Sequence, residues 1–150
     1  AAAAAVARAD AAGGQGPVLE IVAPAPVAVA ATPSEVALVL DNLIGNARRY
    51  ARSLVRVSVL PAGRSARLLV EDDGPGIPEA DRQRVFDRFT RLTPEAGGGA
   101  GLGLALVAAL VHGRGGLVTA GATPTGGARL EIRWPAVSDT TPRESPVPRP

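Results

Sequence analysis

Between Thr32 and Ala51 the apolar residues Val36, Val39, Leu40, Leu43, Ile44, Ala47 and Ala51 recur at three- and four-residue intervals. That is the period of a helix with one buried face. Thr32-Pro33-Ser34-Glu35 supplies its start: Thr32 as cap, Pro33 in the first turn, and Glu35 placed to reach back to the cap amide. Such a cap contributes about 1 kcal/mol and fixes which way the helix faces. From Leu54 to Leu60 the pattern changes to alternation, Val55, Val57 and Val59 against Arg56 and Ser58, which predicts a half-buried strand. Pro61 to Ser65 reads as a hairpin connection, and Ala66 to Glu71 as a second, more apolar strand. Two short strands, Val18–Val22 and Val27–Ala30, are expected around Pro24 and Pro26, at a sheet edge. A short helix is expected over Asp81 to Phe89, a further helix over Gly101 to Val111, and closing strands over Leu117–Ala120 and Arg129–Trp134.

These elements describe one domain over residues 17–135. Residues 1–16, alanine-rich and ending in Gly-Gly-Gln-Gly, read as a linker or the end of a preceding helix. Residues 136–150 form a proline-rich tail expected to be disordered. The chain of 150 residues is long enough for one sizeable core. Its net charge is only +2, and its arginines are scattered without interleaved aromatics, which argues against nucleic acid as a partner. It contains no cysteine, which removes thiol chemistry and cysteine-ligated zinc. The longest apolar run, Leu102 to Val111, is too short to span a bilayer and suits a buried helix. The chain has no methionine and no signal-peptide pattern, so it reads as a piece of a longer protein.

The first helix carries a second stripe. Asn42, Asn46 and Arg49 follow one another at i, i+4 and i+7 and so share a face. Two amides and a guanidinium can ligate a metal and meet phosphate; they also suit a solvated face. The glycine run Gly97-Gly98-Gly99-Ala100-Gly101 opens the later helix, where unpaired N–H groups and a partial positive charge attract anions. A flexible surface loop would have the same composition. The strand Ala66–Glu71 runs directly into Asp72-Asp73-Gly74-Pro75-Gly76. A carboxylate in a pocket can accept the exocyclic amine of adenine and repels the oxygen that guanine offers there; the same residues also make a plain turn.

In order, the chain presents an asparagine helix, Asp-x-Gly-x-Gly, Phe-x-x-Phe and Gly-x-Gly-Leu-Gly-Leu. In this order the chain resembles the catalytic ATP-binding domain of sensor histidine kinases, within the larger family of the ATPase domains of DNA gyrase, MutL and Hsp90. Asn42 to Tyr50 resembles the N box, Asp72 to Pro78 the first glycine box, Arg84 to Phe89 the F box, and Gly99 to Leu104 the second glycine box. Gly115-Gly116 and Gly126-Gly127 are similar to the family's closing strands. The resemblance implies a two-layer α/β sandwich of the Bergerat type, a mixed sheet with helices on one face.

The resemblance also implies the ligands, ATP and Mg2+. Asn46 would hold the metal at the phosphates, with Asn42 beside it as the second catalytic position, and Arg49 would pair with phosphate. Arginine stands where the family often has lysine, and its fork keeps its charge. Tyr50 would line the nucleotide site, Asp72 would take the adenine amine, and Gly74 and Gly76, followed by Ile77, would admit the base. Phe86 and Phe89 would anchor a lid running to Ala100, with Gly99, Gly101, Leu102 and Gly103 facing phosphate. Ala100 stands where the family often has Ser or Thr, so the resemblance implies one side-chain phosphate contact fewer.

His112, the single histidine, lies at a helix end and lacks the acceptor motif of an acidic residue followed by Arg-Thr-Pro; it is read as structural or solvated. The phosphoacceptor would therefore lie on a separate dimerisation domain, with a response regulator downstream. The domain would be cytoplasmic, in a dimeric parent anchored at the inner or plasma membrane of a bacterium. The alternatives are a stand-alone serine kinase of the anti-sigma-factor type, or a regulatory module that no longer binds nucleotide. Where hydrolytic relatives carry a glutamate base, four residues before the metal asparagine, this chain has Asn42.

Overall fold

The computed structural model describes residues 16–87 and 103–137. In chain order the elements are β1 (Val18–Val22), α1 (Pro33–Tyr50), β2 (Leu54–Ala62), β3 (Ser65–Asp72), α2 (Gly103–Gly113), β4 (Leu117–Ala122) and β5 (Ala128–Pro135). Two single 3-10 turns, Glu79–Asp81 and Arg84–Phe86, stand between β3 and α2. The strands form one sheet in the order β1-β2-β3-β5-β4. β1 runs parallel to β2 and the other neighbours are antiparallel, which makes the sheet mixed as expected.

Alternation along the strands decides which face the helices cover. Val57, Val70, Leu130 and Ala120 form one cross-strand row, and Val59, Leu68, Ile132 and Val118 the next. Both rows join the apolar stripe of α1 and the residues Val107 and Val111 of α2 in a single core. Val36, Val39, Leu40, Leu43, Ile44 and Ala47 of α1 are all buried. The opposite sheet face carries ion pairs instead, Glu20 with Arg56, Glu71 with Arg129, and Glu131 with both Arg67 and Arg133. Exposed pairs of this kind are individually weak, about 0–1 kcal/mol. They give the uncovered face a polar surface and oppose a one-residue register slip, which would turn charges into the core.

Local chemistry explains the ends. Thr32 caps α1 by accepting the amide of Glu35 at 3.2 Å. The Glu35 carboxylate itself is held by two hydrogen bonds from Arg114, at 2.9 and 2.7 Å, which tie the start of α1 to the segment after α2. β2 runs through Pro61 to Ala62, farther than its alternation indicated. Pro61 lies past Ser58, where pairing with β1 stops, so no β1 ladder bond is lost to its missing N–H. Gly63, at φ +61, makes the tight turn into β3.

Three expectations change. Val27–Ala30 is not a strand beside β1; it makes one bridge, Val29 to Ala136, with the Ala30 amide donating to the Pro135 carbonyl at 3.0 Å. The prolines ahead of it remove the donors that a longer ladder needs. Ala136 and Val137, assigned to the tail, are held by this same contact, the Val137 amide donating to the Ala28 carbonyl. The helix expected over Asp81–Phe89 is two 3-10 turns over its described part, Asp81 to Asp87, because so short a segment does not offset the cost of helix nucleation.

Candidate functional site

The polar stripe of α1 stands on the side of the helix away from the core. Asn42 and Asn46 are half-buried and Arg49 is exposed in the last turn. Asn42 donates from Nδ2 to the Leu38 carbonyl at 2.8 Å, which orients the amide and turns Oδ1 toward the start of α2. There the fit is close: a Cβ on Gly103 would stand 2.7 Å from Asn42 Oδ1. The asparagine helix and the last glycine of the glycine-rich stretch thus meet. The Asn46 side chain makes no hydrogen bond to any described residue. Its half-buried amide oxygen is open to a ligand.

Asp72 is placed by strand periodicity. On β3 the residues Ala66, Leu68 and Val70 face the helices, and the next in that series is Asp72. A carboxylate therefore enters the apolar layer with only 7% of its surface exposed. Its Oδ1 accepts the amides of Gly74 at 2.9 Å and of Ala128 at 3.3 Å. Oδ2 accepts nothing from the described residues. Burial pushes the carboxyl above its ordinary value, and the two amides only partly oppose that. The second oxygen of this carboxylate stays accessible, an acceptor to which the described residues supply no donor.

Two backbone approaches hold the loop after Asp72. A Cβ on Gly74 would stand 2.2 Å from the Tyr50 carbonyl oxygen, and one on Gly127 would stand 1.9 Å from the carbonyl of Asp72. No side chain fits at either position. The loop is seated between the exit of α1 and the β4–β5 turn. Gly76, at φ +81, likewise approaches the Gly126 carbonyl. Gly74 and Gly76, expected to admit a base, meet neighbouring backbone in the first instance.

Asp73 points the other way. Its Oδ1 accepts the amides of Arg52 at 2.8 Å, Ser53 at 3.0 Å and Leu54 at 3.1 Å. Its Oδ2 accepts the Ser53 hydroxyl at 2.5 Å. The Ser53 hydroxyl first, and these amides after it, hold the Asp73 carboxyl far below the usual carboxylate range.

Of the other positions singled out in the sequence, Tyr50 is half-buried at the end of α1. Ile77 is buried in the core cluster, and Phe86 packs against it. Gly103 opens the described part of α2, whereas Phe89, Gly99, Gly101 and Leu102 lie outside the described residues. His112 is exposed in the last turn of α2. Sequence reasoning missed Ala128 and the clamp on Asp73. A backbone donor such as the Ala128 amide leaves no trace in residue type; the one available signal was Gly126-Gly127 ahead of a strand.

The sequence profile of the histidine kinase-, DNA gyrase B- and HSP90-like ATPases matches residues 31–138. Sensor protein RstB of Escherichia coli is 47% identical over 100 residues, covering 65% of this chain and 23% of RstB. The sensor-type histidine kinase PrrB of Mycobacterium tuberculosis is 39% identical over 107 residues, covering 71% of this chain and 24% of PrrB. The chain thus spans about a quarter of the length of these relatives. Among solved structures, the mycobacterial sensor histidine kinase MprB superposes with a TM-score of 0.75 at 28% identity, covering 90% of this chain and 91% of that one. The ATP-binding domain of PrrB from Mycobacterium tuberculosis superposes with a TM-score of 0.72 at 32% identity, covering 90% of each.

Proposed function

The chain belongs to the histidine kinase-, DNA gyrase B- and HSP90-like ATPase family, and within it we propose that it is the ATP-binding catalytic domain of a sensor histidine kinase. It binds Mg-ATP and donates the γ-phosphoryl group to a histidine on a separate dimerisation domain, from which a response regulator takes it. The observation that carries this reading is Asp72, a desolvated carboxylate with one oxygen fixed by two backbone amides and the other left to accept the adenine amine.

The remaining residues take roles around that anchor. Tyr50, half-buried beside the loop after Asp72, lines the nucleotide site. Arg49, one residue earlier, offers a planar fork to phosphate. Asn46 contributes its free amide oxygen to Mg2+, which supplies charge neutralisation at the phosphates. Among the described residues no group of three acidic, histidine or cysteine side chains could hold a metal alone. Mg2+ binds through few protein ligands together with substrate phosphates and water. Asn42 positions the start of α2 at Gly103, and the phosphate contacts assigned to Gly99, Gly101 and Leu102 and the lid anchored by Phe86 are carried over from the family's second glycine box and F box. Catalysis in phosphoryl transfer is chiefly positioning and charge stabilisation, so these contacts are most of what the domain contributes.

No helix among the described residues is long and apolar enough to cross a membrane. We place the domain on the cytoplasmic side of a dimeric, membrane-anchored bacterial parent, as the sensor kinases it resembles suggest. The test is calorimetric. Asn46→Ala and Asp72→Ala are expected to abolish Mg2+-dependent binding of a non-hydrolysable ATP analogue while the far-UV circular dichroism stays that of the folded chain. Unchanged binding in both variants rejects the reading.

A further inference from the structure

We propose that Asp73 is a positioning residue for nucleotide selection: it locks the loop that carries Asp72 to the exit of α1, fixing the base-recognising carboxylate relative to the phosphate-facing residues of that helix. The inference rests on the reading of Asp72 and Asn46 given above.

The geometry is that of a clamp between two segments about twenty residues apart in sequence. Three consecutive amides, those of Arg52, Ser53 and Leu54, and the Ser53 hydroxyl converge on one carboxylate. These donors begin two residues after Tyr50, the last residue of α1. On the other side of the clamp, Asp73 shares a peptide bond with Asp72 and precedes Gly74, whose amide holds Asp72 Oδ1. The backbone contact of Gly74 with the Tyr50 carbonyl closes the same junction, and the Asp73 amide donates to the Leu54 carbonyl at 3.3 Å. A shift of the junction therefore moves Asp72 against α1.

Helix stability alone does not account for an acid here. A carboxylate beside a helix C-terminus opposes the helix dipole, where a cation is preferred. Asp73 is held there by the donors of the turn, and what those donors fix is the junction. ATP is a ligand of set length that must meet Asp72 at its base and Asn46 and Arg49 at its phosphates together. Small errors in the separation of two such anchors are costly to binding and to transfer.

The test is a double-mutant cycle on the whole chain, read by titration with a non-hydrolysable ATP analogue and its guanine counterpart. Asp73→Ala is expected to weaken the ATP analogue about tenfold or more and to narrow its preference over the guanine analogue. Asp73→Asn keeps an oxygen for the three amides and an amide group for the Ser53 hydroxyl, so it is expected to restore binding to within about threefold. In an Asp72→Asn background, Asp73→Ala is expected to add less than about twofold, since its effect runs through Asp72. Equal losses in both backgrounds, or wild-type binding in Asp73→Ala, overturn the inference while leaving the functional reading intact. A wild-type chain that binds neither analogue overturns both. Should Asp73→Ala not fold, Ser53→Ala carries the same cycle: a smaller loss that vanishes in the Asp72→Asn background supports the clamp, and an additive or absent one rejects it.

Discussion

Burying Asp72 has a thermodynamic consequence that can be separated from its role in binding. The carboxyl lies above its ordinary 3.8 because burial disfavours the charged form. A folded-state pKa raised above the unfolded one means that the charged group costs stability at neutral pH. That cost is relieved as pH falls through the raised value. Asp72→Asn removes the charge yet keeps an oxygen for the Gly74 and Ala128 amides. It is therefore expected to melt at or above the wild-type temperature at neutral pH, with the difference closing in acid. The same variant should bind an ATP analogue roughly ten- to a hundredfold more weakly, the worth of a hydrogen bond to a charged acceptor. In the wild type, affinity should fall as pH drops into the raised range, because the protonated oxygen no longer accepts. Thermal melts and titrations across that range check both signs, and a destabilised Asp72→Asn would show that burial of the charge is not the dominant cost. Nothing in residue type separates Asp72 from Asp73, yet one enters the layer between sheet and helices and the other faces a turn about twenty residues earlier. The sequence left Asp72 between a base acceptor and a plain turn; the strand that carries Leu68 and Val70 to the core side extends through Asp72 and places it there. The partner of Asp73 was not legible, because the register that brings Ser53 beside it is a property of the paired sheet.

At the scale of elements, the two glycines Gly45 and Gly74 have opposite expectations. Gly45 sits in the middle of α1, exposed, with nothing within 4 Å of where a Cβ would stand. Gly45→Ala should stabilise the chain by about 1 kcal/mol through helix propensity alone. A Cβ on Gly74 would stand 2.2 Å from the Tyr50 carbonyl and 3.0 Å from the Asp72 carboxylate. Gly74→Ala must displace backbone, which costs about 1–3 kcal/mol or more, and it parts the loop from α1. Chemical denaturation of the two variants should move in opposite directions, and a stable Gly74→Ala would mean that the loop and helix exit are not in fixed contact. The long elements were legible for a physical reason. Eighteen residues of α1 and the alternation of β2 and β3 repeat their period often enough to define a face. Val27–Ala30 and Asp81–Phe89 repeat it too few times, and what decides their described parts is tertiary: a bridge to Ala136, and the packing of Phe86 on the core.

At the scale of the whole molecule, the described residues form a sheet covered on one face by helices, with α1 linking both ends of the proposed site. Its C-terminal end meets the Asp72 loop through Tyr50, and its middle meets the start of α2 through Asn42 and Gly103. Among the described residues of the asparagine stripe none is a general base. At the position where a hydrolytic relative would use glutamate, Asn42 donates to the Leu38 carbonyl, and an amide cannot take a proton from water. Asp41 is the nearest carboxylate in sequence, but one residue turns it about 100° around the helix, and it is exposed to solvent. The chain by itself should therefore bind ATP and hydrolyse it slowly. Phosphate release should be unchanged in Asp41→Asn. Supplying a helical domain with an acceptor histidine should instead give acid-labile phosphate on that partner, lost when Asn46 or Asp72 is replaced. Measured side by side, brisk phosphate release from the chain alone that Asp41→Asn stops would assign the base to Asp41 and overturn the view of this domain as one half of a transferase.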